Sequence, residues 1–329
     1  MTTRVFTGLK PTGQLQIGNY LAAIRPLLDL AAEHDNDVIV SVVDLHALTV
    51  EHDPATVRTL TVEMAATLLA CGLDRRTRLF IQSSIPAHTE LAYLIECTAT
   101  FGEMRRMVQF KEKSHGQDTV RLSLLTYPAL MAADILAYQT EVVPVGEDQR
   151  QHLELTTTVA RRFNARYGEV FTVPRAVTPA ATARVKDLRT PTTKMGKTGS
   201  DGAGVLFLRD PPDVITAKVK RALTDGQPEL SFDPVARPGV ANLAVLLGAL
   251  TGTTPEQALD GLSGAAALKS AVTDAAVATL EPIQKRYDEL MADPTELNAL
   301  LAAGRDSLAP TAKQTVARAR EAIGLTPVT

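Results

Sequence analysis

In the N-terminal half of the chain, short β-rich runs alternate with stretches of helical spacing. That alternation allows few folds other than a parallel sheet with helices on both faces. Arg4-Val5-Phe6-Thr7 reads as a first strand, Val38–Val43 as a second, Leu79-Phe80-Ile81 as a third and Val142–Val145 as a fourth. Between them, Leu21, Ile24, Leu27 and Leu28 recur at helical spacing within Ile17–Leu30, and Val57, Leu60, Met64 and Leu68 share one face of a helix opening at Asp53-Pro54. Asp53 can accept there from free backbone N–H groups, and the missing N–H of Pro54 is no loss in a first turn. Further helices are expected over Leu91–Thr100, Leu122–Tyr138 and Asp148–Tyr167, with a polar, irregular stretch from Gly102 to Gln117. The order is Rossmann-like.

Past residue 185 the pattern changes: Gly196, Gly199, Gly202 and Gly204 punctuate one loop, and the remainder is helical. Thr254-Pro255-Glu256-Gln257 and Asp293-Pro294-Thr295-Glu296 carry cap signals. We expect an α/β parallel-sheet domain over 1–186, with an insertion at 103–121, and a smaller all-helical domain over 187–329 whose last helix packs back on the first. A chain of 329 residues has that room, and 45% hydrophobic against 22% charged residues excludes a disordered chain. Lys and Arg number 34 against 37 Asp and Glu, a net charge of −3, so overall charge does not favour nonspecific DNA binding, while a local basic face can still meet RNA. Cys71 and Cys97 lie in apolar stretches without a CxxC pair and read as small buried residues, so no zinc or iron–sulfur site is expected. The opening MTTRVFTGLKPTG lacks an apolar segment of signal-peptide length, and no later run approaches the roughly 20 apolar residues of a membrane span. A cytoplasmic protein is expected.

Four segments carry candidate chemistry. Thr7-Gly8-Leu9-Lys10-Pro11-Thr12-Gly13, followed by Gln16-Ile17-Gly18-Asn19, connects the first strand to the first helix, where backbone N–H groups meet phosphate in open sheets. A tight turn would explain the first glycines equally well, but Gly18 inside a helix start suggests close approach of a flat group such as an adenine base. Lys194-Met195-Gly196-Lys197-Thr198 imitates the end of a P-loop, yet Pro191 stands where the first glycine belongs. What remains is two lysines on a glycine-rich loop, suited to a leaving polyphosphate or simply solvated. Asp134 interrupts the apolar helix around Pro128–Leu136. A buried carboxylate must be paired or hydrogen-bonded, and either a structural partner or a ligand donor would satisfy it. Finally, Val145-Gly146-Glu147-Asp148-Gln149 and Asp44-Leu45-His46 lie at strand ends, where capping and ligand binding are both at home.

Together these segments resemble the bacterial tryptophanyl-tRNA synthetases, a class I aminoacyl-tRNA synthetase family. The likeness runs from GLKPTG and QIGNY through DLHALTV, QFKEKS, LLTYPALMAADILAYQTEVVPVGEDQRQHLEL, RFNARYGE and KMGKT to PIQKRY, and the long central string is the specific part. The resemblance implies activation of L-tryptophan with Mg-ATP, transfer to tRNA(Trp), and a homodimer, with no DNA or membrane partner and no metal held by protein ligands. Gly8, Lys10, Gln16, Gly18, Asn19, Gly146, Asp148, Lys194, Met195, Lys197 and Thr198 would surround ATP, with Lys10, Asn19, Lys194 and Lys197 acting on its phosphates. Asp134 would receive the indole N–H, Phe6 and Met131 would pack the ring, Tyr127 and Gln149 would hold the α-ammonium, and His46 would line the pocket. Arg105, Arg106, Lys111 and Lys113 in the insertion, and Lys218, Lys220 and Arg221 in the helical domain, would meet tRNA. Gln16 stands where His or Thr is usual, Lys10 where Gln is common, and Gly196 and Thr198 where serines are usual. These departures are compatible with an auxiliary copy that tolerates tryptophan-mimicking antibiotics. A tyrosyl-tRNA synthetase shares the architecture and reaction. A small adenylyltransferase leaves the helical domain unexplained, and a non-enzymatic binding paralogue leaves Lys194, Lys197, Asp134 and Gln149 unexplained.

Overall fold

The computed structural model describes residues 2–73, 76–116, 119–146, 149–177, 184–196 and 202–325. Among them, β1 (Thr3–Leu9), β2 (Asn36–Val42), β3 (Thr77–Ile81), β4 (Val142–Pro144) and β5 (Arg175–Val177) form one parallel sheet in the order β3-β2-β1-β4-β5. The register sets Val5 beside Val38 on one side and Val142 on the other. Successive strand residues point to opposite faces. Val38, Val40 and Val42 therefore join a core cluster with Leu68 and Leu280, while Phe6, Ile39 and Phe80 join a second with Ile135 and Phe163.

The helices covering these faces are α1 (Ile17–Asn19), α2 (Arg25–Ala32), α3 (Pro54–Ala70), α4 (Ala87–Glu96), α5 (Phe101–Arg105), α6 (Val108–Ser114), α7 (Leu122–Leu136) and α8 (Arg150–Tyr167). After them come α9 (Pro212–Lys220), α10 (Pro238–Thr251), α11 (Gly264–Ala292) and α12 (Thr295–Ala322). Asp53 caps α3 as expected, its Oδ2 accepting from Thr56 N at 2.7 Å. Residues on either side of position 186 share one apolar cluster, which runs from Val5 to Leu297. α12 lies against β3 and α4 and contributes Leu308, Ala312 and Val316 to the second cluster.

Several local expectations change. The first helix is three pieces, because a π-helical turn, Tyr20–Ile24, separates α1 from α2. Pro26 in the first turn of α2 has no N–H to give the carbonyl of Ala22 and its ring crowds that carbonyl, so the widened turn accommodates it. The stretch 102–117 is not irregular throughout: Thr100 and Glu103 form a capping box that starts α5, and Val108 N donates to Gln151 Oε1 at 2.8 Å where α6 begins. β5 was not expected; its three residues are mostly exposed, which leaves no alternating pattern to read. The cap at Thr254 opens a 3-10 turn, Gln257–Leu259, instead of an α-helix. Cys71 is buried, but Cys97 is exposed at the C-terminal end of α4.

Candidate active site

β1 and β4 are neighbours with connections that leave in opposite directions, so a crevice opens at their C-terminal ends, where open sheets bind ligands. Lys10 to Asn19 follow one end, and Val145-Gly146 follows the other. Gly146 is exposed there, and its carbonyl accepts from Gln149 N at 3.0 Å.

Beside this crevice α7 carries Asp134 into the interior, where it is 2% exposed. Its own helix is apolar, so its partners come from three other segments. His46, in the 3-10 turn Leu45–Thr49 after β2, donates from Nε2 to Asp134 Oδ2 at 2.8 Å. Gln82, just past β3, donates from Nε2 to Oδ1 at 2.7 Å, and its Oε1 accepts from Leu45 N, which fixes the turn that carries His46. His88 of α4 donates from Nδ1 to Oδ1 at 2.6 Å, and its Nε2 meets the Tyr138 hydroxyl at 2.7 Å. A carboxylate can only accept, so His88 carries its proton on Nδ1, and in the neutral ring Nε2 accepts the Tyr138 proton. Burial alone would raise the Asp134 carboxyl, but the hydrogen bonds from His46 and His88 and their electrostatic attraction outweigh it and hold it down at about 2. Burial, reinforced by the Asp134 charge, pushes the Tyr138 phenol up, so it remains a donor. Carboxylate oxygens offer about four acceptor positions. Among the described residues Oδ1 uses two and Oδ2 one, which leaves Oδ2 able to take a further donor.

A second polar chain stands beside the first. Tyr127, also on α7, faces His46 edge-on with ring centroids 6.3 Å apart. Its hydroxyl lies 2.6 Å from His152 Nε2, and His152 Nδ1 lies 3.2 Å from Gln149 Oε1. The amide oxygen only accepts, so Nδ1 holds the proton and the phenol donates to Nε2. Burial pushes Tyr127 up to about 12, so the phenol stays protonated and its oxygen lone pairs are available to an ammonium group. Phe6 is buried and stacks on Tyr138, with centroids 5.9 Å apart, and half-buried Met131 packs in the same cluster. The structure thus brings together Phe6, His46, Tyr127, Met131, Asp134 and Gln149. It adds Gln82, His88, Tyr138 and His152, which sequence reasoning missed. The one available signal was position, since Gln82 lies at a strand end like the segments already singled out.

In the loop expected to meet nucleotide, Lys10 Nζ donates to Thr49 Oγ1 at 3.3 Å, and Thr49 Oγ1 donates to the His46 carbonyl at 2.9 Å. Burial lowers the Lys10 ammonium, and the Lys113 charge lowers it further, so Lys113 of the insertion shares the field of this loop. Asn19 Oδ1 accepts from Gln16 N at 3.1 Å. In the Cβ direction of Gly18 the Gln16 amide approaches closely, since a Cβ there would stand 2.7 Å from Gln16 Oε1. Lys194 is exposed, bridges to Lys186 and precedes the buried Met195, with half-buried Gly196 beyond. Asp148, Lys197 and Thr198 lie outside the described residues.

The basic residues expected to meet tRNA divide. Arg105, Arg106, Lys111 and Lys113, and Lys220 and Arg221 at the end of α9, are exposed. Lys218 is not available in the same way: its ammonium donates to the Val205 carbonyl at 2.9 Å and pairs with Asp210 at 2.6 Å above the Phe207 ring. It serves the packing of α9.

The pattern of the family described as tRNA synthetases class I (W and Y) matches residues 1–287. Over 99% of its length the chain is 49% identical to tryptophan–tRNA ligase 1 of Streptomyces coelicolor, covering 98% of that protein. The tryptophanyl-tRNA synthetase structure from Mycoplasma pneumoniae superposes with a TM-score of 0.86 at 35% identity, covering 99% of each chain. The Campylobacter jejuni tryptophanyl-tRNA synthetase, in complex with ADP and tryptophan, superposes at 0.84 with 26% identity, covering 98% of this chain and all of the other. These matches span nearly the whole chain, and the chain belongs to the class I tRNA synthetases (W and Y), among the bacterial tryptophanyl-tRNA synthetases.

Proposed function

We propose that this aminoacyl-tRNA ligase activates L-tryptophan with Mg-ATP and then esterifies it to the 3' end of tRNA(Trp). In the first step an oxygen of the tryptophan carboxylate attacks the α-phosphate, forming tryptophanyl-adenylate as the bond to pyrophosphate breaks. In the second, a terminal ribose hydroxyl attacks the acyl carbon and AMP leaves. Neither step needs a protein nucleophile; the protein positions the reactants and offsets charge. The cations for this are Lys10 and Lys194, and Mg2+ would come with the nucleotide. Lys197 extends that assignment by sequence, and Asp148 and Thr198 would hold ATP beside it.

The observation that carries the tryptophan reading is Asp134: ionised, buried, held by three donors and left with one acceptor position on Oδ2. An indole N–H fits that position, and a carboxylate left without its donor rejects an amino acid that lacks one. The phenol of tyrosine also donates, so the walls formed by Phe6 and Met131 share the discrimination. Tyr127 and Gln149, linked through His152, would receive the α-ammonium. The experiment is tryptophan-dependent ATP–pyrophosphate exchange, with tyrosine and phenylalanine as competitors and Asp134→Ala alongside. Selective exchange that falls at least about a hundredfold in the variant is expected; exchange with tyrosine exceeding tryptophan, or none with any amino acid, overturns the reading.

The helical part, 187–329, and the exposed insertion residues Arg105, Arg106, Lys111 and Lys113 would serve tRNA, with Lys220 and Arg221 and without Lys218. Exposed Tyr93, Phe101, Val108 and Leu122 support a homodimer built on the insertion side. No described helix is long and apolar enough to cross a membrane, which accords with work in the cytoplasm. The buried, unusual Gln16 supports a second reading as an auxiliary, antibiotic-tolerant copy, which resistance of the exchange reaction to tryptophan-mimicking inhibitors would test.

A further inference from the structure

Gln16 is 5% exposed, and both halves of its amide are engaged. Its Oε1 accepts from Gly18 N at 2.5 Å, capping the first turn of α1, while its Nε2 donates to the Met195 carbonyl at 3.1 Å. The backbone around it is fixed independently: Ile17 N donates to the Leu206 carbonyl at 2.8 Å, and Leu208 N to the Leu15 carbonyl at 2.9 Å. Met195 is fixed from its other side, since its N–H meets the Val185 carbonyl at 3.3 Å and Lys194 bridges to Lys186. Asn242 on α10 in turn brackets Lys186, accepting from its N–H at 2.8 Å and donating to its carbonyl at 2.9 Å. Only one side-chain contact, Gln16 to Met195, ties this lysine-bearing segment to the nucleotide loop among the hydrogen bonds described.

We propose that Gln16 is a positioning residue that latches the Lys194–Gly196 segment onto the nucleotide loop before ATP arrives, so that Lys194 is aimed without first being ordered by its ligand. The proposal rests on the reading that Lys194 serves ATP. Reach is the physical basis. A threonine hydroxyl can cap Gly18 but is too short to meet the Met195 carbonyl as well, whereas the glutamine amide carries an acceptor and a donor on one rigid plane. Ordering that already exists in the free protein need not be supplied by binding energy, so its loss appears as weaker apparent binding of ATP and not of tryptophan.

The two functions of the amide can be separated. Gln16→Glu keeps an oxygen for Gly18 N–H but turns a second oxygen, with no proton to give, toward the Met195 carbonyl. Gln16→Thr keeps a cap and loses the reach. Amide hydrogen exchange would be followed on the free proteins in the peptide covering Lys194–Gly196, and KM for ATP and for tryptophan measured by pyrophosphate exchange. Both variants are expected to exchange faster at Met195 and to raise the ATP KM by roughly three- to tenfold, with the tryptophan KM within about twofold of the parent. Unchanged hydrogen exchange and ATP KM in Gln16→Glu would overturn the latch and leave Gln16 a cap. A parallel rise in both KM values would also overturn it, because the damage would then be general. Faster hydrogen exchange with an unchanged ATP KM would overturn the proposal as well, since the contact would then do nothing for ATP. If the parent protein itself shows no ATP-dependent reaction, the functional reading fails, and hydrogen exchange still decides the contact.

Discussion

Asp134 keeps a full charge in a place that almost no solvent reaches, and it does so because two imidazoles and an amide converge on it from outside its own helix. Its presence in the apolar string 128–136 announced that something must meet it, and the sequence read alone favours a structural partner, such as an arginine or a backbone cap, over a ligand donor. The actual partners lie 46, 52 and 88 positions away, so no local spacing could reveal them. His88 is the informative one, since it links the carboxylate to the Tyr138 hydroxyl with both nitrogens buried. His88→Leu removes a donor to a buried charge and leaves the phenol without its acceptor, and should destabilise the protein by about 3 kcal/mol. His88→Asn restores an N–H near the Nδ1 position. It should recover much of the tryptophan KM lost in the leucine variant even where stability is only partly regained. Denaturant unfolding and pyrophosphate exchange on the two variants check this. Equal tryptophan KM values in leucine, asparagine and parent proteins would reduce His88 to a packing role.

At the scale of elements, alternation of β-rich runs and helical stretches was enough to place four strands, because each carries buried apolar residues. β5 escaped because Arg175-Ala176-Val177 is short and largely exposed, and the insertion looked irregular because its two helices are held by contacts that lie outside them. Arg162 of α8 grips Glu103 of α5 through Nη2 to Oε1 at 2.6 Å and Nη1 to Oε2 at 3.0 Å, and Nη1 also meets the Thr98 carbonyl. Those Arg162 hydrogen bonds, with help from Thr100 and against the smaller effect of burial, hold the Glu103 carboxyl down at about 2. A carboxyl lowered in the folded state adds stability above its unfolded value and loses it as pH falls through the folded one. Glu103→Gln should therefore cost about 1 kcal/mol at pH 7, a modest figure because Arg162 is partly exposed, and the gap to the parent should close between roughly pH 4 and pH 2. Urea titrations across that interval measure it, and a gap that stays constant with pH would remove the ion pair as its cause.

One long helix of the C-terminal half, α12, lies directly on the sheet, and the tightness of that contact is written in a single missing side chain. β3 is an edge of the sheet and α12 lies along it, covering backbone that would otherwise be open to another strand. Gly304 allows the approach: a Cβ there would stand 2.0 Å from the Leu79 carbonyl oxygen and 2.8 Å from its carbon. Both are backbone atoms of a central contact and have no rotamer by which to move aside. Glycine to alanine inside a helix ordinarily stabilises by roughly 0.5–1 kcal/mol, so the sign of the effect distinguishes a docked helix from a free one. Gly102, inside α5, has nothing within 4 Å of its Cβ position and supplies the comparison in the same molecule. Gly102→Ala should raise the unfolding midpoint slightly. Gly304→Ala should lower it, by an amount corresponding to about 1–3 kcal/mol of overpacking. The α12 contact also reaches the catalytic part through Leu308, Ala312 and Val316, which share a cluster with Phe6 and Ile135. Separation of α12 from the sheet would therefore loosen the cluster that seats α7, the helix of Asp134, and in Gly304→Ala the tryptophan KM should rise together with the loss of stability. Calorimetry and pyrophosphate exchange on the two alanine variants test both halves, and a stabilised Gly304→Ala would mean that α12 does not sit on β3 in solution.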